Sequence, residues 1–153
     1  MSRVQLALNV NDVDEAVRFY SKLFGTEPAK RRPGYANFAI TEPPLKLVLL
    51  ENPGQGGSLN HLGVEVESVD KVDAELSRLA NAGLAAINER GTTCCYAKQD
   101  KFWVEGAPDE ERWEVYTVLA DSPTFTADEG PACCSGTDAA QGDEPAPSSA
   151  ACC

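Results

Sequence analysis

Cys94 and Cys95 are adjacent, in the stretch Gly91-Thr92-Thr93-Cys94-Cys95-Tyr96-Ala97-Lys98. Neighbouring residues lie closer together than the Cα separation a disulfide prefers, so this pair bridges itself only with strain. Two thiols side by side suit a soft, thiophilic atom that takes two sulfurs at once. In an extended strand, however, successive side chains point to opposite faces. Both thiols reach one atom only where the backbone is a loop or bulge, which Gly91 and the threonines permit. The other cysteines, Cys133, Cys134, Cys152 and Cys153, are again adjacent pairs. This is neither the spaced pattern of a disulfide framework nor that of a structural zinc site. His61 is the only histidine, which excludes a histidine-rich metal centre.

The elements that must position these groups can be read from periodicity. Residues 4–10 alternate and predict a strand. Asn11 or Asp12 can cap a helix carrying Val13, Ala16, Val17, Tyr20 and Phe24 on one face, with Gly25 placed to end it. Short strands are expected around 28–32, 36–40 and 45–51, separated by Pro33-Gly34 and Pro43-Pro44. The pattern then restarts. Residues 59–67 predict a strand, Ser68 a cap, Val69, Val72, Leu76, Leu79 and Ala80 a helix face, and Gly83 its end. Strands near 84–90, 93–98, 101–105 and 113–119 follow. Residues 5–14 lie over 61–70 at an offset of 56, with Val10 on Val66, Val13 on Val69 and Asp14 on Asp70. Each half therefore reads β-α-β-β-β.

The repeat places Gln5 and His61 at equivalent positions of equivalent strands, where a pseudo-twofold would turn both into one cavity. Glu114 interrupts the apolar run from Trp113 to Leu119, where a carboxylate is costly without a partner. Arg112 and Arg90 are candidate partners, and Leu47 is its expected match in the first half. Gln5, His61 and Glu114 together offer an amide oxygen, an imidazole and a carboxylate. On an octahedral ion they leave other positions open, which suits a redox-active divalent metal taking substrate and O2.

Composition bounds the rest. The 153 residues have room for one domain and a tail. No apolar run approaches the ~20 residues of a membrane span, and no signal-peptide pattern opens the chain. A cytoplasmic location is therefore expected. The net charge of −11 argues against nucleic acid and anionic membranes as partners. From Asp121 onward the chain holds six acidic residues, no Lys or Arg, and few large apolar side chains. The expected organisation is a domain over 1–120, with modules at about 3–51 and 59–119, and a disordered tail over 121–153.

Over about residues 3–120, the two modules with Gln5, His61 and Glu114 resemble the vicinal oxygen chelate superfamily, which includes glyoxalase I and the extradiol dioxygenases. The resemblance implies an α+β fold of two βαβββ modules enclosing a metal site. With Thr92-Thr93-Cys94-Cys95-Tyr96 and a tail of further Cys pairs, the chain looks like the carbon–arsenic lyase branch of that superfamily. That resemblance implies Fe(II)- and O2-dependent cleavage of the C–As bond of trivalent organoarsenicals such as methylarsenite. It assigns arsenic to Cys94 and Cys95 and the metal to Gln5, His61 and Glu114. Tyr96 and Lys101 are then candidate catalytic groups, and Cys133, Cys134, Cys152 and Cys153 a relay for arsenic. Gln5 departs from the extradiol pattern, which has histidine there. Members of the superfamily are monomers or homodimers. Two other functions fit the residues: a glyoxalase-like isomerase or thiol transferase, which needs no cysteines, and a non-catalytic soft-metal binder.

Overall fold

The structure, a computed structural model, describes residues 1–126. Its ten elements are β1 (Arg3–Val10), α1 (Val13–Phe24), β2 (Lys30–Arg32), β3 (Tyr35–Ile40), β4 (Leu45–Glu51), β5 (Leu59–Glu65), α2 (Val69–Asn81), β6 (Ala86–Cys94), β7 (Ala97–Val104) and β8 (Trp113–Asp121). The caps are those the sequence predicts. The side chain of Asp12 accepts from Glu15 N at the start of α1, and Gly25 ends that helix in the left-handed region. The side chain of Ser68 does the same for Lys71 N at the start of α2. These oxygens satisfy amides that the first turn leaves without partners.

All eight strands form one curled sheet in the order β2-β3-β4-β1-β5-β8-β7-β6. The two modules meet where β1 runs antiparallel to β5, and each module adds a parallel neighbour, β4 beside β1 and β8 beside β5. This is the α+β arrangement of two βαβββ units. Its outer face is apolar and covered by the helices. Val13 and Val17 of α1 pack on Phe38, Leu47 and Leu49; Val72 and Leu79 of α2 pack on Phe102 and Val115. The inner face is left for polar side chains.

Three expectations need correction. The strands expected near 84–90, 93–98 and 101–105 are two long strands, β6 and β7. Gly91 does not break β6 but sits, with φ of 58°, at an irregularity between Glu89 and Thr92 where the pairing register shifts, so a bulge is absorbed within the strand. The first-half counterpart of Glu114 is Val48, not Leu47. Gly63 pairs with Glu114, and Ala7, its equivalent 56 positions earlier, pairs with Val48. A one-residue slip moves a strand side chain to the other face, and Leu47 indeed lies in the core beneath α1. Finally, β8 runs through Asp121, and the described chain continues to Thr126, which bridges Cys94, while Phe125 packs on Tyr35 and Tyr96. Residues 121–126 therefore belong to the described fold.

Candidate active site

The centre of the sheet builds the first half of the site. Leu6 and Leu62 are paired across β1 and β5, and on either side of them Gln5 pairs with Gly63 and His61 with Ala7. The arrangement is its own image under the repeat, so Gln5 and His61 project from the same inner face at symmetric places. Small residues opposite each leave room. Glu114 enters from β8, on the far side of Gly63. All three side chains are buried, at 3–4% exposure.

Their polar atoms converge. Gln5 Nε2 is 3.0 Å from His61 Nε2 and 2.8 Å from Glu114 Oε1, and the last two are 3.4 Å apart. Neighbouring ligands at ~2.1 Å from an octahedral divalent cation are about 3 Å apart. The triangle has that size once the amide is rotated to present Oε1, an exchange that costs no space. His61 is prepared for it: Nδ1 lies 2.7 Å from Asn60 Oδ1, whose amide is fixed by donating to Asn9 Oδ1. Nδ1 therefore carries the proton and Nε2 a free lone pair. No group of three His, Cys, Asp or Glu side chains surrounds a metal position among the described residues; the third donor here is an amide. The residues fit a divalent metal.

The carboxylate is anchored from behind. Lys101 Nζ, fully buried, lies 3.2 Å from Glu114 Oε2 and 3.8 Å from Glu89. Burial raises the Glu114 carboxyl, but the Lys101 ammonium beside it outweighs burial and holds it well below the usual carboxylate range. Oε1 is thus left, ionised, for a cation. For Glu89 the balance is reversed, and burial lifts it above the usual carboxylate value despite Lys101. The arginines anticipated as partners of Glu114 are engaged elsewhere: Arg90 with Asp73 and Asp100, Arg112 over the Trp103 ring.

The cysteine pair leaves the strand. Cys94 is the last residue of β6, Ala97 the first of β7, and Cys95-Tyr96 form a two-residue hairpin turn with φ of 56° and 61°. Such turns normally use Asn and Gly, because positive φ strains larger side chains. Here the strained turn brings the thiols together. The two Sγ atoms are 3.2 Å apart, beyond a disulfide bond and within reach of one shared atom. A cavity of about 200 Å³ is lined by Cys95 together with Gln5, Glu114, Gln99, Tyr35 and Asn37. The structure therefore brings Cys95 and two of the predicted metal ligands to one chamber, with His61 against them.

Tyr96 and Lys101 are placed differently. Tyr96 packs its ring on Tyr35 and Phe125, and its hydroxyl is 3.5 Å from the Pro33 carbonyl rather than in the chamber. Lys101 touches Glu114. Cys133, Cys134, Cys152 and Cys153 lie outside the described residues. Several residues at the site had not been anticipated. Tyr116 donates to Gln5 Oε1 at 2.5 Å and stands 3.1 Å from Glu65, which pairs with Arg3 and Lys46. Burial raises the Glu65 carboxyl, but Lys46 and Arg3 hold it below the usual range. Alternation was the available signal: His61, Gly63 and Glu65 share one face of β5, as Glu114 and Tyr116 do on β8.

Residues 3–115 match the sequence model of the Glyoxalase/Bleomycin resistance protein/Dioxygenase superfamily. The chain belongs to that superfamily. Within it, the chain is 66% identical over 145 residues to the cadmium-induced protein CadI of Mycobacterium tuberculosis, covering 89% of this chain and 95% of CadI. It is 57% identical over 139 residues to the trivalent organoarsenical cleaving enzyme of Thermomonospora curvata, covering 90% and 91%. Among solved structures, an extradiol ring-cleaving dioxygenase from B. fuscum superposes with a TM-score of 0.55 over 78% of this chain and 33% of that one, at 17% identity. At that identity the likeness speaks for the superfamily's fold alone. Among the described residues no helix is long and apolar enough to cross a membrane.

Proposed function

We propose that this protein cleaves the carbon–arsenic bond of trivalent organoarsenicals such as methylarsenite, with Fe(II) and O2, releasing inorganic arsenite. The observation that carries this reading is the pair of thiols 3.2 Å apart at a strained turn, with Cys95 lining the chamber that Gln5 and Glu114 also line. The organoarsenical-cleaving relative at 57% identity supports it. In binding, Cys94 and Cys95 each displace one hydroxyl from arsenic: two S–As bonds form, two As–O bonds break and two waters leave, with no change in oxidation state. The methyl remains as the third substituent, fixed beside the Gln5, His61 and Glu114 set, and holding it there removes most of the entropic cost of encounter.

Gln5, His61 Nε2 and Glu114 Oε1 would hold the metal. Fe(II) bound there would supply a redox centre that can use O2. Lys101 keeps Glu114 ionised and aimed. Tyr96 holds the turn through its ring contacts. The cysteines of the tail would collect arsenic and pass it on by thiol exchange.

The test begins with anaerobic protein loaded with Fe(II), then methylarsenite, then O2. Loss of methylarsenite and appearance of inorganic arsenite should require both Fe(II) and O2 and vanish in the Cys94→Ser/Cys95→Ser variant. Unchanged turnover in that variant would sink the reading. The thiol pair also fits one alternative, a non-catalytic soft-ion binding protein, and stoichiometric binding without turnover would select it. Activity on glutathione adducts with Ni(II) or Zn(II) would instead indicate a glyoxalase-like enzyme.

A further inference from the structure

The Gln5 amide has two orientations, and its surroundings do not favour them equally. In the orientation observed, Nε2 donates to Glu114 Oε1 and faces His61 Nε2, while Oε1 faces the hydroxyl of Tyr116. This satisfies Glu114 when no cation is present. It leaves Tyr116 between two acceptors, Gln5 Oε1 and Glu65 Oε2. Glu65 is held by Arg3 at 3.1 Å and Lys46 at 3.2 Å. As a carboxylate it only accepts, and a phenol has one proton to give. Tyr116 cannot donate to both.

Rotating the amide by half a turn reverses the account. Tyr116 then donates to Glu65 and accepts from Gln5 Nε2, so every group on that side is satisfied. Gln5 Oε1 now faces His61 Nε2 and Glu114 Oε1, giving three acceptors in one small triangle, which only a cation between them makes favourable. We propose that Tyr116 and Glu65 are a positioning pair that selects the metal-binding orientation of the Gln5 amide, so that amide rotation accompanies metal entry. The inference rests on reading Gln5, His61 and Glu114 as the ligand set. It also gives a reason for a fully buried phenol and a doubly paired carboxylate behind that ligand. An imidazole at position 5 has no oxygen to misplace and would need neither.

Co(II) alone, titrated by its visible absorption, is the probe. Tyr116→Phe should weaken Co(II) binding by about 10- to 100-fold, the usual effect of losing a group that orients a ligand. Glu65→Gln should weaken it comparably, because the new amide can donate to Tyr116 and send the phenol proton back to Gln5 Oε1. In a Gln5→Glu background, where either oxygen serves, Tyr116→Phe should change affinity by less than about threefold. A merely structural role for Tyr116 would cost the same factor in both backgrounds, and that result overturns the inference. So does a Tyr116→Phe variant that binds Co(II) as the parent does while His61→Ala does not bind. If the parent fails to bind Co(II), or binds it regardless of His61→Ala, the ligand set itself falls and the inference with it.

Discussion

Glu114 and Lys101 are the most consequential single residues outside the cysteine pair, because both charges are out of water. Lys101 is fully buried, and its partners are Glu114 at 3.2 Å and Glu89 at 3.8 Å, with the Trp103 ring beneath it. Removing one partner of such a pair costs about 3–5 kcal/mol, since the other charge stays buried. Glu114→Gln should therefore lower the unfolding free energy of the metal-free protein by about that amount near neutral pH. The pH dependence follows from the sign of the shift. The Glu114 carboxyl falls from an ordinary 4.5 to about 2 in the folded state. Its contribution is complete above 4.5 and is lost as pH falls from there towards 2. Urea unfolding of parent and variant should show a gap that is constant at neutral pH and closes across that acid window. A gap that persists unchanged to pH 2 would mean the charge of Glu114 is not what stabilises it. The sequence marked Glu114 as a costly carboxylate in an apolar strand but named the wrong cations. Arg112 is only two residues away, whereas Lys101 is brought near by the register of β7 on β8, where it pairs with Tyr116 and so lies diagonally across from Glu114.

At the scale of the elements, what was legible was periodic and what was missed was not. Caps, helix faces and the repeat announced themselves through spacing. The hairpin at Cys95-Tyr96 did not, because it lacks the Asn and Gly that usually betray such turns, and the bulge at Gly91 imitated a strand end. The offset of 56 correctly paired Gln5 with His61 through equivalent positions of β1 and β5. It failed for Glu114 because the later strands of the two halves share no residue pattern, and only the pairing with Gly63 settles the register. Gly63 itself carries a prediction. It lies between Gln5 on β1 and Glu114 on β8, and a Cβ there would come 3.1 Å from Glu114 Cγ and 3.4 Å from Gln5 Cβ. Both side chains belong to the proposed ligand set, and Glu114 would have to give by a few tenths of an ångström. A site displaced on that scale loses its geometry while the sheet survives. Gly63→Ala should weaken Co(II) binding at least about tenfold. Its unfolding free energy should move by less than about 1 kcal/mol, because a methyl in a strand also restricts the unfolded chain. Equal metal affinity in the two proteins would remove Gly63 from the design of the site.

For the molecule as a whole, the two ends of the sheet matter most where they meet. The edge strands β2 and β6 are farthest apart in strand order, yet the curl of the sheet brings β2 to the tip of the β6–β7 hairpin. Lys30 of β2 makes the join, donating to the Tyr96 carbonyl at 2.9 Å and to Asp121 at 2.5 Å. Arg32 lies over the Tyr96 ring, and Phe125 packs against Tyr35 and Tyr96. The strained turn that unites the two thiols is thus held by the first module, while the cysteines belong to the second. Asp121 is exposed, so the ion pair itself adds little; the bond to the turn's carbonyl, from a mostly buried ammonium, is the stronger tie. Lys30→Met keeps the apolar stem and removes that bond. The turn should then open more often, by the factor of about 5–30 that 1–2 kcal/mol represents. Hydrogen exchange resolved to residues 94–98 should quicken by that factor, with β1, β4 and β5 unchanged. Arsenical binding to the Cys94-Cys95 pair should weaken in step, because opening separates the thiols. If exchange at the turn stays as slow as in the parent, the second module holds its own turn, and the thiol geometry does not depend on the first.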